Sequence, residues 1–443
     1  MKTWLATTRD AVQARLWPVP TVAVVAAVLL GLWLPEVDAA LDPHLGGPFE
    51  GWLFGGDGEA ALSLLGVIAS SLVSVTALTF SLTVVALQLA SSQFSPRLLR
   101  TFVRDQFVQA TLAIFLGTFT YALTVMRAVR IGNGDPATVP QLSVSVAFVL
   151  ALTSVLALVL FLAHLVRELR VETMLAEVHR DASATLRAVL PERDPDAAPL
   201  PPFAAPLGEV RPLLVRDGGF LTRVDRGGLL KVAVEEDAQV ALDVHPGSFL
   251  VVGTPLGRVW PARGGTFDDE DAARIADRVA GCLHTGPERT AAQDVAYGLR
   301  QLADVANKAL SPGINDPTTA VHALGHVSAL LCELTDRELG PAVLRDDQDR
   351  ARVALLQPDL AGYVELGIEQ PRRYGASDPQ LLEAIGQVLL SLSHRAAPED
   401  RPVVHDQLRR LRATAAAQDF DPEERHRLDE LTRVVEQNLT EPA

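Results

Sequence analysis

The sequence predicts an α-helical membrane protein with four transmembrane helices and an α+β cytoplasmic domain, the latter a small barrel-sandwich-like β module followed by helices. Three observations predict it. Four apolar stretches near the N-terminus each reach the roughly 20 residues that a helix needs to cross the hydrocarbon core. Charge is segregated: residues 1–162 hold 8 Lys+Arg and 9 Asp+Glu, whereas residues 163–443 hold 31 and 45, so the net charge of −15 falls almost wholly beyond the spans. The hydrophobic pattern then changes from helical to short runs punctuated by Gly and Pro, and back again from Phe267.

The first span is expected at about residues 17–34, with Trp17 and Trp33 as interfacial anchors and Pro18 and Pro20 in the first turn, where proline is tolerated. The others are expected at about 60–90, 106–127 and 141–166, closing a transmembrane domain over residues 1–166. A cleaved signal peptide is the rival reading of residues 1–40, but the apolar run is long, contains Pro and ends in Trp, and Val37-Asp38-Ala39 is a poor cleavage site. Short-loop cations set the orientation. Lys2, Arg9 and Arg15 precede the first span, Arg97, Arg100 and Arg104 lie between the second and third, and Arg167, Arg170 and Arg180 follow the fourth. The loop between the first two spans has no Lys or Arg and carries Glu36, Asp38, Asp42 and Asp57. This places both termini on the cytoplasmic side of a bacterial inner membrane, with Arg127 and Arg130 as the exception at an outer end.

Span four is expected to continue as a charged helix to about Leu190, and Pro191–Pro212 reads as a linker, so residues 167–212 form a juxtamembrane helix and linker. Residues 213–262 form the β module: His245-Pro246-Gly247-Ser248-Phe249 and Gly253-Thr254-Pro255-Leu256-Gly257 look like half of a barrel-sandwich fold, without the modifiable lysine of biotinyl and lipoyl domains. Residues 263–443 read as helical. Asp316-Pro317, Asp378-Pro379 and Asp421-Pro422 each pair an N-cap with Pro at the first helical position.

Several function classes lose support. An acidic extramembrane part with no basic tract argues against nucleic acid as a partner and against docking on anionic lipid away from the spans. Cys282 and Cys332 form no CxxC and read as reduced thiols. No Gly-x-Ser-x-Gly, P-loop, dinucleotide fingerprint or HExxH occurs. An enzyme would lack a candidate nucleophile or base; no catalytic residue, metal or cofactor is expected. His322 and His326 stand at i,i+4, a chelating spacing, with no third ligand evident.

Span two carries the most information. At 100° per residue, Ser63, Ser70, Ser74, Ser81, Gln88 and Ser92 fall within about 20° of one line, with Thr76, Thr79 and Thr83 nearly opposite. Small polar residues on membrane helices commonly serve helix packing, bonding their own i−4 carbonyls. The functional reading makes the Ser stripe a polar path in an oligomer. Arg127 and Arg130 share a face and would form an outer cationic ring, or snorkel to headgroups. Beyond the spans, a helix from about Thr290 to Leu310 would set Thr290, Asp294, Tyr297, Gln301, Asp304 and Lys308 on one face, plainly a solvated one. Asp294, Gln301, Asp304, Lys308, Asn315 and Asp316 are also the candidates for a cytoplasmic ligand site.

Two stretches carry a resemblance. One is Ser81-Leu82-Thr83-Val84-Val85-Ala86-Leu87-Gln88-Leu89-Ala90-Ser91-Ser92-Gln93-Phe94-Ser95-Pro96-Arg97. The other runs from Arg289-Thr290 and Gln293-Asp294 through Gly298-Leu299-Arg300-Gln301-Leu302-Ala303-Asp304 to Ala309-Leu310-Ser311-Pro312-Gly313-Ile314-Asn315-Asp316-Pro317-Thr318-Thr319-Ala320. Together they resemble the bacterial membrane proteins grouped as domain of unknown function 2254. The resemblance implies a multi-span bacterial membrane protein and no activity or catalytic residues. The expected function is a homo-oligomeric inner-membrane channel or channel-like protein with a cytoplasmic gating or assembly domain. Its partners would be the lipid bilayer, its own copies, and ions or a small ligand. The alternatives are a membrane-anchored ligand sensor or assembly scaffold and, with least support, a membrane-proximal enzyme.

Overall fold

The structure is a computed structural model that describes residues 17–41, 53–93, 105–129, 139–168, 170–194, 203, 205–206 and 208–440. The chain divides into two compact units, Met1–Arg170 and Val171–Ala443.

The N-terminal unit contains four helices long and apolar enough to cross a membrane: α1 (Pro18–Leu41), α2 (Gly58–Gln93), α3 (Gln106–Met126) and α4 (Gln141–Glu168). α3 is the most enclosed and packs against the other three. Its Phe115, Tyr121, Ala122 and Val125 are fully buried. Small residues let the helices approach, as membrane packing requires: a Cβ on Gly31 of α1 would stand 2.8 Å from Thr124 Cβ of α3. Polar pins add direction to this apolar contact. Tyr121 Oη donates to the Ser143 carbonyl at 3.0 Å, and Ser154 Oγ donates to Thr118 Oγ1 at 3.2 Å.

α1 continues to Leu41, past the expected end at Leu34. The extension brings Asp38, 6% exposed, to the start of α4. Its Oδ1 accepts from Leu142 N at 3.0 Å, and its Oδ2 accepts from Ser143 N and Ser143 Oγ, both at 2.8 Å. A helix start leaves its first N–H groups unpaired, and a carboxylate from another helix answers them here. Near Asp105, the N-cap of α3, His164 Nε2 lies 2.6 Å from the Asp105 Oδ2, tying α4 to α3.

In the C-terminal unit, α5 (Val171–Val189) is followed by β1 (Arg211–Leu214), β2 (Gly219–Val224), α6 (Arg226–Glu235), β3 (Ala238–Leu242), β4 (Phe249–Leu250), β5 (Pro255–Pro261), α7 (Asp269–Ala280) and β6 (Leu283–Gly286). Then come α8 (Val295–Ala309), α9 (Pro317–Thr335), β7 (Ala342–Arg345), β8 (Ala351–Leu355), α10 (Leu360–Tyr374), α11 (Pro379–Arg395), α12 (Arg401–Ala416) and α13 (Pro422–Thr440). The unit is mixed helix and sheet. The barrel-sandwich detail is not confirmed: strands of residues 213–262 divide between a five-stranded sheet, β1-β5-β3-β8-β7, and a three-stranded sheet, β4-β2-β6. β6, β7 and β8 come from the stretch that reads as helical. β3 pairs antiparallel with β5 on one edge and parallel with β8 on the other, Val240 opposite Val353. All five β3 residues are buried, as suits a central strand with both faces covered. Leu221, Leu229, Val240, Val259, Ile275 and Val353 lie at the centre of this core.

The helical part is built around α8, which packs on α5, α9 and α10. A Cβ on Gly298 would overlap Ala182 Cβ, so glycine sets the α5–α8 distance. Aspartates cap the helix starts: Asp316 accepts from Thr319 N at 3.1 Å, Asp359 from Gly362 N at 2.9 Å and Asp378 from Leu381 N at 3.0 Å. Asp421 and Glu424 form a reciprocal capping box, at 2.8 and 3.0 Å.

Candidate ligand site

A cleft in the C-terminal unit gathers the ends of several elements. Val224 at the end of β2, Arg226 at the start of α6, His245 and Pro246 from the β3–β4 turn, Asp294 before α8, Leu355 at the end of β8 and Tyr363 of α10 all line it. Its cavity volume is about 40 Å³, the rest of the cleft being open to solvent. Its lining combines apolar side chains with a few fixed polar groups, the composition common in small-ligand sites.

Each polar group is positioned by a local cause. Gln293 clamps the end of β2: its Oε1 accepts from Val224 N at 2.8 Å and its Nε2 donates to Val224 O at 3.3 Å. The next residue, Asp294, stands at the N-cap position with φ −94° and ψ 89°, yet makes no side-chain cap bond. Arg289 holds its carboxylate instead, through Nε at 2.8 Å and an Nη at 2.7 Å, both to Oδ2. The Arg289 guanidinium in turn lies 5.7 Å from the Tyr297 ring centroid, a cation–π contact. The Asp294 side chain is 1% exposed. Its Oδ1 is buried and has no hydrogen-bond partner. Burial pushes the Asp294 carboxyl above its ordinary range, and Arg289, His245 and the Tyr297 backbone N–H only partly oppose this. Burial, followed by the Asp294 charge, also pushes the Tyr363 phenol up.

Gly247 makes room for this carboxylate. It has φ +95°, and a Cβ there would overlap Asp294 Oδ2. Opposite in charge, the Arg226 guanidinium is half-buried and makes no ion pair or hydrogen bond among the described residues. Burial alone pushes its pKa down.

Of the six ligand-site candidates, only Asp294 lines this cleft. Gln301, Asp304 and Lys308 lie along α8, and Lys308 is about 21 Å from Asp294 at 1.5 Å per residue. Asn315 occupies the left-handed region at φ +51° in the turn before α9, and Asp316 is engaged by Thr319 N and Oγ1. The solvated face is corrected at Asp294 and Tyr297, while Lys308 is exposed. α8 begins at Val295 rather than Thr290, and Asp294 and Tyr297 are buried because α8 is covered by neighbouring helices on several sides. His179 of α5 adds a ring beside the histidine pair, 5.2 Å between centroids from His326. Burial and then the neighbouring His179 and His322 push His326 down. Among the described residues no group of three His, Cys, Asp or Glu is arranged to hold a metal.

On α2, the Ser and Thr stripes separate. Ser63, Ser70, Ser74, Ser81 and Gln88 are exposed on the outer face of the N-terminal unit, while Thr79 is fully buried and Thr76 and Thr83 are half-buried. Several of these hydroxyls bond within the helix: Ser74 Oγ donates to Ser70 O at 3.3 Å, and Thr83 Oγ1 to Thr79 O at 2.8 Å. Arg127 is exposed just after α3. Arg130 and the Ser92 side chain lie outside the described residues.

A family model described as predicted membrane protein, domain of unknown function 2254, matches residues 13–391, including both helices of the long second motif and the whole Asp294 cleft. The chain belongs to this family. Relatives include uncharacterised proteins of Mycobacterium tuberculosis and Mycobacterium bovis, each 32% identical over 414 residues, 94% of this chain and 78% of the relative. No solved structure matches. The stretch from Arg289 to Ala320 is divided by the fold: Gln293 and Asp294, the latter held by Arg289, line the cleft, and the remainder forms α8 and the capped start of α9.

Proposed function

We propose that this family member is a membrane-anchored ligand-binding protein, whose C-terminal unit takes a small molecule at the Asp294 cleft on the cytoplasmic side of the inner membrane. The carrying observation is the Asp294 carboxylate, almost fully enclosed yet with one oxygen unpartnered. Buried polar atoms are nearly always paired, and leaving one unpaired costs about 1–3 kcal/mol. A ligand that donates to Oδ1 removes that cost. The cytoplasmic placement rests on the short-loop Lys and Arg residues around the spans. The test is thermal unfolding of the purified full chain against a panel of small cytosolic metabolites. A ligand at about 100 times its Kd stabilises by about 2.7 kcal/mol, and that shift disappears in Asp294→Ala. A panel that shifts neither protein rejects the reading.

A second reading, an oligomeric channel with α2 at its axis, is favoured by Ser63, Ser70, Ser74, Ser81 and Gln88 all lying on an outer face. Polar side chains on membrane helices are more stable against a neighbouring helix or water than against lipid tails. Flux through reconstituted liposomes that survives Ser81→Leu and Gln88→Leu rejects it.

A further inference from the structure

Two oppositely charged groups that line the cleft specify what it takes. We propose that the ligand is a small zwitterion, an α-amino acid with an apolar side chain, whose ammonium donates to Asp294 Oδ1 and whose carboxylate pairs with Arg226. This names the ligand class of the site and rests on the cleft being a ligand site.

The argument is one of complementarity. Asp294 Oδ1 is an enclosed acceptor without a donor. Arg226 lines the same cleft, half-buried, without a carboxylate partner among the described residues. A partly desolvated guanidinium with no counter-charge is costly, and a carboxylate is the partner whose geometry fits its fork. A simple amine would satisfy Asp294 but bring a second cation beside Arg226 and Arg289. A simple carboxylate would satisfy Arg226 but be repelled by Asp294 and leave Oδ1 unpaired. A molecule carrying both groups satisfies both residues and adds no net charge. Val224, Val244, Val295 and Leu355 supply apolar lining in the same cleft, which suits an aliphatic side chain and not a second charge. A bridging water would satisfy Oδ1 alone and leave Arg226 unmatched.

The raised Asp294 carboxyl fits this arrangement, because an arriving ammonium favours the ionised form. Gly247 contributes by leaving room for Oδ2 beside Arg289.

The test is calorimetric titration of the full-length protein in detergent with L-leucine, isoamylamine and isocaproate, which share one aliphatic skeleton. L-leucine binds saturably, and each half-molecule binds at least about thirtyfold more weakly, the loss expected when one partner of a buried charge pair is removed. In Arg226→Gln, L-leucine weakens to the level of isoamylamine, and in Asp294→Asn to that of isocaproate. An unchanged thermal midpoint in Arg226→Gln separates lost recognition from lost folding. Absence of saturable L-leucine binding overturns the proposal, and so does L-leucine binding that Arg226→Gln leaves unchanged. If isoamylamine or isocaproate alone binds and depends on Asp294 or Arg226, the zwitterion falls while the ligand site stands. If all three fail and the metabolite panel also fails, both fall.

Discussion

Gly247 and Asp294 occupy space that only a glycine can share: a Cβ at residue 247 would stand 2.7 Å from Asp294 Cγ and overlap Oδ2. The backbone at 247 also has φ +95°, outside the comfortable range of L side chains. Gly247→Ala therefore imposes two penalties at once. Backbone strain alone costs about 1–3 kcal/mol, and displacing the carboxylate breaks its bonds to Arg289. Denaturant unfolding should show a loss of at least about 2 kcal/mol, together with loss of ligand binding. A variant as stable as the parent would mean that the turn relaxes freely and does not hold the cleft.

Asp294 also makes a prediction about pH. Its folded-state pKa is raised, so the native state holds its proton more tightly than the unfolded chain, whose value is about 3.9. The sign is then fixed: this residue's contribution is most favourable below the unfolded value and declines as pH rises through the window up to the folded value. Asp294→Asn should remove that decline, and Arg289→Gln should extend it to higher pH. Urea midpoints measured across the acid-to-neutral range read both effects; identical slopes in all three proteins would refute the assignment.

The opposite sign applies at Asp346. Burial raises its carboxyl, but hydrogen bonds from Arg352 and from the Arg350 backbone and side chain outweigh that and hold it well below the usual range. Arg352, 3% exposed, binds Asp346 and Asp237 at 2.9 Å each. The stability from this network is complete above about pH 4, the unfolded carboxylate value, and is lost as pH falls through the folded value. Asp346→Asn should weaken the C-terminal unit at neutral pH and flatten its acid limb. The β7–β8 amides in hydrogen exchange report it directly.

Asp38 supplies a prediction for the membrane unit. Its three hydrogen bonds to Leu142 N, Ser143 N and Ser143 Oγ replace the missing first-turn partners of α4. Asp38→Ala should cost about 2 kcal/mol, the upper range for loss of a helix cap, read as a lower unfolding midpoint in detergent. Ser143→Ala should cost less, and the double variant should cost less than the sum because the two share a bond.

The four apolar spans were legible because crossing a membrane imposes a length and a composition that need no tertiary knowledge. The end of α1 was not, since Asp38 is accommodated by a helix start more than 100 residues later. The sheet was harder still. The strand signals in residues 213–262 were readable, but β7 and β8 supply two of the five strands of the larger sheet, and local periodicity does not announce a distant partner. The Arg289–Asp294 segment and the His245–Ser248 turn were both visible as motifs. That they meet is a consequence of β2 and α8 being tied through Gln293. Arg226 and Tyr363 carried no local signal, because an isolated Arg on a short helix and a Tyr on an amphipathic one look like ordinary surface and core.

The parallel pairing of β3 with β8 bears on how the chain is made. β3 ends at Leu242 and its partner is complete only at Leu355, with the β4–β6 strands and the α8–α9 pair between them. During synthesis, one edge of a fully buried strand must therefore wait, unpaired, while more than 100 further residues leave the ribosome. Such an edge is a template for pairing with other chains. Release of nascent chains stopped between residues 243 and 350 should thus yield aggregation-prone protein, and extension past Leu355 should end that vulnerability in a single step.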